Sequence, residues 1–225
     1  MPPAIVIPSP DTRPLVPPGF RPPLTLEGPR LRLVPLALEH AEPLAPVSGD
    51  LRVFEFLSYG PYADVESLRS HIADLLRRQA GGTDLPFAVV RRSDAVPVGM
   101  TRFLNIEREN DAVEVGGTWF DSRFWRGPYN TESKRLMLGH AFDTERVHRV
   151  AIQTDLRNER SQRAIERIGG RREGILRESR VVRDGYRRSS VVYSVLADEW
   201  PTVRARLDAL VARPWTEPPA ASPSV

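Results

Sequence analysis

The sequence predicts a single α/β (or α+β) domain built on a mixed β-sheet, and three observations support this. Short β-rich runs follow one another as a meander between residues 86 and 120. Two further units place a strand directly before an amphipathic helix, over residues 111–146 and 149–168. The chain then carries two β-rich runs joined by Asp-Gly, which is a strong hairpin signal. Meanders give antiparallel pairs and strand–helix–strand crossovers give parallel ones, so a sheet that contains both is mixed.

The individual elements follow from periodicity and turn residues. Asp64 can cap a firm helix that runs to Gln79, because apolar residues recur there every three or four positions. Weaker signals predict a strand or hairpin over residues 24–35, a helix over residues 38–45 that stops near Pro46, and a short apolar piece over residues 51–57. The remaining strands are predicted at residues 86–91, 98–105, 111–120, 149–154, 173–182 and 186–196, and the remaining helices at residues 131–146, 161–168 and 198–211.

Three segments divide the chain: a proline-rich arm over residues 1–23, a domain over residues 24–212 and a flexible tail over residues 213–225. The arm holds many of the 22 prolines and cannot bury a core by itself. It could be disordered, or it could pack on the domain or on a neighbouring subunit, which leaves a homodimer open. The N-terminus lacks the basic region of a signal peptide, and no run approaches the ~18 apolar residues of a membrane span.

The composition excludes several kinds of site. Hydrophobic residues make up 40% of the 225-residue chain, charged residues make up 27%, and there is no cysteine. Disulfides, thiolate metal sites and a cysteine nucleophile are therefore excluded, and the cytoplasm is the expected location. The net charge is +3, so the acids nearly balance the bases and a nucleic-acid surface is not expected. Lys134 is the only lysine, a skew toward arginine that we attribute to codon bias.

The stretch Glu114–Thr131 carries the strongest local signal for a binding site. Its first part has the composition of a strand, and two consecutive glycines within it suggest a bulge or a close approach of backbone to a ligand. A Gly-Pro loop then leads into a helix whose first N–H groups lack internal partners, which favours an anion such as phosphate. Arg123 and Arg126 lie beside that helix start. An ordinary strand–helix connection with two surface arginines explains the same residues equally well.

A second polar cluster, Asn158 to Ser161, also follows a strand and opens a helix. On its own, Asn158 reads as a helix cap. If the two strands are parallel neighbours, their helix starts flank a cleft at the carboxyl ends, where α/β proteins bind ligands. The chain has no Walker phosphate loop, no dinucleotide fingerprint and no nucleophile elbow, and its four histidines lack metal-ligand spacing, so no metal site is expected.

These features resemble the GNAT superfamily of N-acetyltransferases, and most of all its RimJ/RimL-like branch of ribosomal-protein N-terminal acetyltransferases. The order of elements is similar over roughly residues 24–200. The most specific motifs are N-T-E at Asn130–Glu132, N-x-x-S-Q-R at Asn158–Arg163, the glycines before R-R-E-G, and D-E-W at Asp198–Trp200.

The resemblance implies a central sheet that splays open after the fourth core strand and holds acetyl-CoA in the gap. The pantetheine arm would pair with backbone at Thr118, Trp119 and Phe120 and meet Asn158. The pyrophosphate would bind at Arg126, Gly127, Tyr129, Asn130 and Thr131. The family's phosphate loop is usually Q/R-x-x-G-x-G/A, whereas here Pro128 takes the first glycine position and Asn130 takes the second.

The implied reaction transfers an acetyl group from acetyl-CoA directly to a primary amine in a ternary complex, since no cysteine is present to carry it. An α-amino group, with a pKa near ~8, loses its proton more readily than a lysine near ~10.4. Glu114 is our candidate base, and its alternative role is that of a paired structural carboxylate. Strand alternation predicts that Glu114, Gly116 and Thr118 share one face. Backbone N–H groups near Thr118 could stabilise the oxyanion.

Other assignments remain open at this point. Ser161 is the candidate acid for the departing thiolate, and Tyr129 and Tyr193 are further options. The acceptor could be a peptide N-terminus, an aminoglycoside-like amine, a polyamine or an amino acid, and the family builds its acceptor pocket from N-terminal helices, here residues 38–79. A different class of function keeps the fold without the chemistry, as a non-catalytic acyl-CoA-binding or regulatory domain. An arginine-rich nucleic-acid partner is a third.

Overall fold

The computed structural model describes residues 19–216, and eight strands within that range form one mixed sheet. The strands are β1 (Leu26–Glu27), β2 (Leu31–Pro35), β3 (Leu85–Arg91), β4 (Pro97–Glu107), β5 (Ala112–Phe120), β6 (Arg149–Asp155), β7 (Arg171–Val181) and β8 (Arg187–Leu196). Their order across the sheet is β1-β2-β3-β4-β5-β6-β8-β7. Neighbours pair antiparallel except for β5 and β6, which are parallel. The mixed sheet and the closing hairpin are therefore confirmed.

Six α-helices within the described range cover the two faces of the sheet. They are α1 (Ala41–Ser48), α2 (Leu51–Phe54), α3 (Val65–Ala80), α4 (Tyr129–Gly139), α5 (Glu159–Ile168) and α6 (Trp200–Val211). The first three pack over one face around Leu44, Phe54 and Leu68. The last three pack over the other face, where Leu138, Ile165 and Leu207 belong to the larger core. None of the helices described here is long and apolar enough to span a membrane.

Local sequence signals set several helix ends. Asp64 caps α3 as predicted, since its side chain accepts a hydrogen bond from the Ser67 N–H at 2.8 Å. Pro46 lies inside α1, so the prediction that this helix stops near Pro46 is wrong. Proline has no N–H to donate to the preceding turn of a helix. The helix continues through Pro46 because Leu44 and Ser48, on either side of it, are buried. After α4 the chain continues as a π-helical turn over His140–Thr144.

A bulge in β5 changes which side chains face which side of the sheet. Arg102 pairs with Gly116 and Met100 pairs with Trp119, so the register shifts between them. Gly117 sits in this bulge at φ +58, and a Cβ there would lie 2.8 Å from Arg102 Nε. The extra residue reverses the alternation, so the prediction that Thr118 shares a face with Glu114 is wrong. Thr118 instead faces α4.

The ends of the described range contact the domain. Phe20 is only 4% exposed, and its ring lies 4.8 Å from that of Phe103 in the larger core. At the other end, a Cβ on Gly127 would lie 2.8 Å from the Trp215 ring, so the chain returns to the loop before α4. The rest of the predicted arm and tail, residues 1–18 and 217–225, lies outside the described residues.

The burial of Phe20 leads to a stability prediction for the segment before β1. We expect Phe20→Ala to lower the free energy of unfolding by roughly 3–5 kcal/mol, because it removes a buried aromatic ring and leaves a cavity. Leu51→Ala is the control, since Leu51 is 69% exposed and should change stability by less than about 0.5 kcal/mol. Urea unfolding of both variants measures the difference, and equal effects would mean that Phe20 is not part of the core.

Candidate functional site

The site is a cleft that opens where β5 and β6 diverge. The two strands pair only through Ala112–Glu114 and Arg149–Ala151, and beyond Glu114 no described strand pairs with β5 on the β6 side. Backbone polar groups need partners when water is excluded, so this open strand edge can bind an extended ligand. A cleft of about 640 Å³ lies along it, lined by both strands, the starts of α4 and α5, and the loop after α2. The predicted splay and the adjacency of the two strand–helix junctions are confirmed.

The first wall is the loop before α4 together with the start of that helix. Arg126, Gly127 and Asn130 line the cleft there. Pro128 is the N-cap residue of α4. The N–H of a residue at this position makes no hydrogen bond within the helix, so proline, which has no N–H, leaves the helix intact. A phosphate at this wall would meet the positive end of the helix dipole.

Two predicted residues of this wall do not line the cleft with their side chains. The Tyr129 ring is fully buried against Phe124, 5.0 Å away, and Thr131 is 5% exposed. Only their backbone atoms, in the first turn of α4, are placed to contribute. Arg123 is also absent from the described cleft lining, because its guanidinium binds Asp121 at 2.5 Å. Arg126 is therefore the arginine of this loop that faces the cleft.

The second wall is the start of α5. Asn158 Oδ1 accepts a hydrogen bond from the Ser161 N–H at 2.9 Å, so the helix-cap interpretation is confirmed, and both residues line the cleft. Arg160 lies over the Trp125 ring, with its guanidinium carbon 3.8 Å from the ring centroid. This contact joins the two walls across the cleft opening.

The floor of the cleft is the strand segment Thr118–Phe120. The Trp119 and Phe120 side chains are buried in the cores on opposite faces of the sheet, which leaves their backbone at the open edge. Thr118 Oγ1 lies 2.8 Å from Thr101 Oγ1 and accepts a hydrogen bond from Lys134 Nζ at 2.7 Å. The structure thus brings these three predicted residues to the cleft through their backbone.

Lys134 is a buried cation beside this floor. It lies on α4, lines the cleft and is only 5% exposed. Within residues 19–216 it forms no ion pair with a carboxylate, and burial lowers the pKa of Lys134 to about 7. The amino group of Lys134 therefore lies in a site of low polarity against Thr118, on the α4 side of the cleft floor.

Glu114 stands at the last paired position before the strands separate. It is 7% exposed, and its Oε2 accepts hydrogen bonds from Asn105 Nδ2 at 2.8 Å and Gln153 Nε2 at 3.2 Å. Burial raises the pKa of Glu114, against the lowering effect of the Asn105 hydrogen bond and of nearby arginines. It is the only acidic side chain among the described residues that line the cleft. Neither hydrogen bond uses Oε1.

The two tyrosines considered as acids do not reach the cleft. Tyr129 and Tyr193 are both fully buried, and the Tyr193 hydroxyl donates a hydrogen bond to Glu166 Oε1 at 3.0 Å. Among the described residues, no group of three His, Asp or Glu side chains is gathered in a way that could hold a metal ion.

Sequence reasoning missed several cations of the cleft. Lys134, Arg102 and Arg188 all line it, and each lies within a helix or strand, where the spacing of residues alone does not indicate a binding site. A signal for Lys134 was present, since it is the one lysine in a chain whose other basic residues are nearly all arginine. The two arginines come from strands far apart in sequence, and only sheet pairing brings them together.

Comparison with known proteins agrees with this architecture. Residues 30–171 match the family model described as an acetyltransferase (GNAT) domain, which is more than half of the chain. The chain therefore belongs to the GNAT acetyltransferase family. Proteins similar to this chain include one named as a ribosomal N-acetyltransferase and one named RimJ.

Three similar proteins show the extent of the likeness. A Bacillus subtilis (strain 168) protein named "Putative ribosomal N-acetyltransferase YdaF" is 33% identical over 102 residues, which is 45% of this chain and 55% of that protein. The chain thus spans little more than half the length of this relative. A "putative acetyltransferase" structure from T. thermophilus is 42% identical, with a TM-score of 0.74 over 83% of this chain and 96% of that one. Mycobacterium smegmatis RimJ in complex with CoA-disulfide is 23% identical, with a TM-score of 0.73 over 83% of this chain and 94% of that one, and shares the fold.

The burial of Lys134 leads to a prediction about stability and pH. Its folded pKa of about 7 lies below the ordinary lysine value of 10.5. Between these two pH values the unfolded chain binds a proton at Lys134 and the folded chain does not, so the folded state loses stability as the pH falls from ~10.5 to ~7. Lys134→Met removes that loss. We therefore expect the free energy of unfolding of the variant, relative to that of wild type, to rise by roughly 3–5 kcal/mol when the pH is lowered from ~10.5 to ~7.

Urea unfolding at the two pH values measures this change. Arg78→Met, which removes an exposed cation of α3 paired with Asp74, is the control and should show no comparable pH dependence. Equal effects of Lys134→Met at both pH values would show that Lys134 titrates as a solvated lysine.

Proposed function

We propose that this protein is an acetyl-CoA-dependent N-acetyltransferase that acts on a primary amine, either a protein N-terminus or a small-molecule amine. The observation that carries the proposal is the parting of β5 from β6 directly beyond Glu114. It places an open backbone edge, two helix starts and one buried carboxylate around a single cleft. The GNAT family membership supports the reaction class, and the geometry supports our choice of residues.

The cofactor-binding residues we propose follow the walls of the cleft. Backbone at Thr118, Trp119 and Phe120 would pair with the pantetheine arm, and Asn158 would meet it from the start of α5. Arg126, Gly127 and Asn130 would hold the pyrophosphate, with backbone N–H groups of Tyr129 and Thr131 in the first turn of α4. Lys134 and Arg160 add positive charge along the same path. These groups fit an extended ligand that carries several phosphates.

The chemistry divides between the substrate and the chain. Acetyl-CoA supplies an activated acetyl thioester, so that transfer forms a C–N bond, breaks a C–S bond and releases CoA as a thiol. Glu114 takes the proton that the amine loses, directly or through a water. Its buried position favours this role, because a raised pKa makes a carboxylate a stronger base. Backbone N–H groups from Gly117 to Trp119 would stabilise the charge on the acyl oxygen, and Ser161 would return a proton to the sulfur.

An α-amino group is the acceptor we favour. Its pKa near ~8 leaves a usable fraction deprotonated at pH ~7, whereas a lysine near ~10.4 is almost fully protonated. The names of similar proteins, a ribosomal N-acetyltransferase and RimJ, support a protein N-terminus. The loop after α2 faces the cleft through Phe56, Leu57 and Tyr59, so the N-terminal helices are placed to form the acceptor side.

The competing function is a non-catalytic acyl-CoA-binding domain. Calorimetry with acetyl-CoA and CoA tests binding, and thiol release with a panel of amines and N-terminal peptides tests transfer. We expect both binding and thiol release, together with an acetyl mass increase on an accepted amine. Binding without release of CoA from any amine would favour the non-catalytic function, and the absence of binding would contradict both.

The loop before α4 gives a prediction about cofactor affinity. We expect Arg126→Ala to weaken CoA binding by roughly tenfold, the effect of losing one charge-assisted hydrogen bond to phosphate. Added salt should weaken wild-type binding in the same direction. Arg123→Ala is the matched control, because Arg123 binds Asp121 and does not line the described cleft. Equal dissociation constants for wild type and Arg126→Ala would leave the phosphate contact to backbone alone.

The position of Glu114 gives a prediction about the rate. Glu114→Gln keeps the shape and removes the base, so we expect kcat near pH ~7 to fall by ~10²–10⁴-fold with little change in CoA affinity. The deficit should shrink as the pH rises, because the amine then loses its proton without help. The control is Glu107→Gln, which changes an exposed carboxylate at the end of β4. Normal turnover by Glu114→Gln at neutral pH would make Glu114 a structural carboxylate.

A further inference from the structure

Three arginines share a sheet face with Glu114. Arg102 pairs with Gly116 and Leu104 pairs with Glu114 across β4 and β5, and directly paired residues lie on the same side of a sheet. Glu114 pairs with Ala151, which in turn pairs with Ser194, so Ser194 of β8 is on the same side of the sheet as Glu114. Arg188 lies six residues before Ser194 on this regular strand. An even spacing keeps it on that side. Arg180 pairs with Arg188 and is on this side too.

The same three arginines belong to the cleft that Glu114 lines. Arg102, Arg180 and Arg188 line it, and each acts electrostatically on Glu114, where its positive charge lowers the pKa of the carboxyl. The loop after α2 closes the opposite side with Phe56 and Tyr59. This part of the cleft lies on the α1–α3 face of the sheet, whereas Lys134 and the start of α5 lie on the other.

The charges of these arginines are incompletely compensated. Arg102 reaches Asp84 through Nη1 at 3.2 Å, and Arg188 lies 4.0 Å from an Asp155 oxygen whose carboxylate already binds Arg157 at 2.8 Å. The Nε atoms of Arg102 and Arg188 are buried and have no hydrogen-bond partner among the described residues. Arg180 is exposed and forms no ion pair within residues 19–216.

Buried guanidinium donors without partners cost free energy until an acceptor binds them. The acid that lines the cleft, Glu114, already accepts hydrogen bonds from Asn105 and Gln153. A simple cationic amine would meet three like charges here, whereas an amine with its own anionic group would match them. Guanidinium groups bind carboxylate and phosphate with paired hydrogen bonds.

We infer that the acceptor carries an anionic group, a carboxylate or a phosphate, close to its amine, and that Arg102, Arg180 and Arg188 bind this group while the amine faces Glu114. The inference rests on the proposed function, and it narrows the acceptor to anionic amines. For a peptide acceptor, it requires an acidic side chain next to the N-terminal residue.

The test compares pairs of acceptors, of which one member carries an anionic group and the other does not. The two dipeptide amides Ala-Asp and Ala-Asn have nearly the same shape, and phosphoethanolamine and ethanolamine form a second pair. We expect wild type to acetylate the anionic member of at least one pair with a kcat/KM about 10- to 100-fold higher, the effect of charge-assisted hydrogen bonds. The pair with the larger ratio identifies carboxylate or phosphate as the bound group. Equal rates within both pairs, or faster transfer to the neutral members, would overturn the inference.

Two arginine variants assign the effect to this face. Arg180→Gln changes an exposed side chain and should keep the fold, and Arg188→Gln removes a buried guanidinium. Both should lose most of the charge preference, measured as the ratio of kcat/KM for the anionic dipeptide to kcat/KM for the neutral one, and leave the affinity for CoA nearly unchanged. Arg187→Gln is the matched control, because Arg187 is the exposed neighbour of Arg188 on β8 and points to the other side. A preference that survives in both Arg180→Gln and Arg188→Gln would overturn the assignment.

A binding measurement separates this inference from the proposed function. Calorimetry of the two dipeptides with CoA-loaded protein reports charge selection even if no amine is acetylated. Tighter binding of Ala-Asp than of Ala-Asn, lost in Arg188→Gln, would support the anion site although the proposed transfer had failed. Equal binding within the dipeptide pair and also within the pair of phosphoethanolamine and ethanolamine would overturn the anion site, even if transfer to neutral amines is observed.

Discussion

The parting of β5 and β6 after three paired residues is the constraint on which the site depends. A continuous parallel pair would satisfy its backbone groups within the sheet, and no ligand could enter. Because the ladder ends at Glu114 and Ala151, backbone polar groups of the next β5 residues face an open cleft. The starts of α4 and α5 stand on either side of the same gap, so helix dipoles and strand edge act on one ligand.

The bulge at Gly117 gives the two sides of this cleft different chemistry. Before the bulge, Glu114 and Gly116 face the helices α1–α3, and after it Thr118 faces α4, where it binds Lys134. One strand therefore presents a carboxylate to one side and a lysine-bound hydroxyl to the other. The crossing of Arg102 over Gly117 explains why the bulge needs a residue without a side chain.

Two buried charges show how this fold shifts the pKa values of side chains in the cleft. Lys134 is held without a carboxylate partner within the described chain, and burial lowers its pKa to about 7. Glu114 is held by two amide donors, and burial raises its pKa. Both groups would be ordinary ions on the surface, and it is their exclusion from water that moves their pKa values toward neutrality.

The sequence by itself determined the mixed sheet, the Asp64 and Asn158 caps and the two strand–helix junctions, because periodicity, caps and turn residues act over a few neighbours. The family was indicated by a resemblance of motifs such as Asn130–Glu132 and Asn158–Arg163. It also placed Arg126 and Glu114 at the site. Only the tertiary structure decided that Thr118 turns away from Glu114, that Tyr129 is buried, and that Arg102, Arg180 and Arg188 meet. A bulge, a core position and a sheet register depend on partners distant in the chain, which local patterns do not encode.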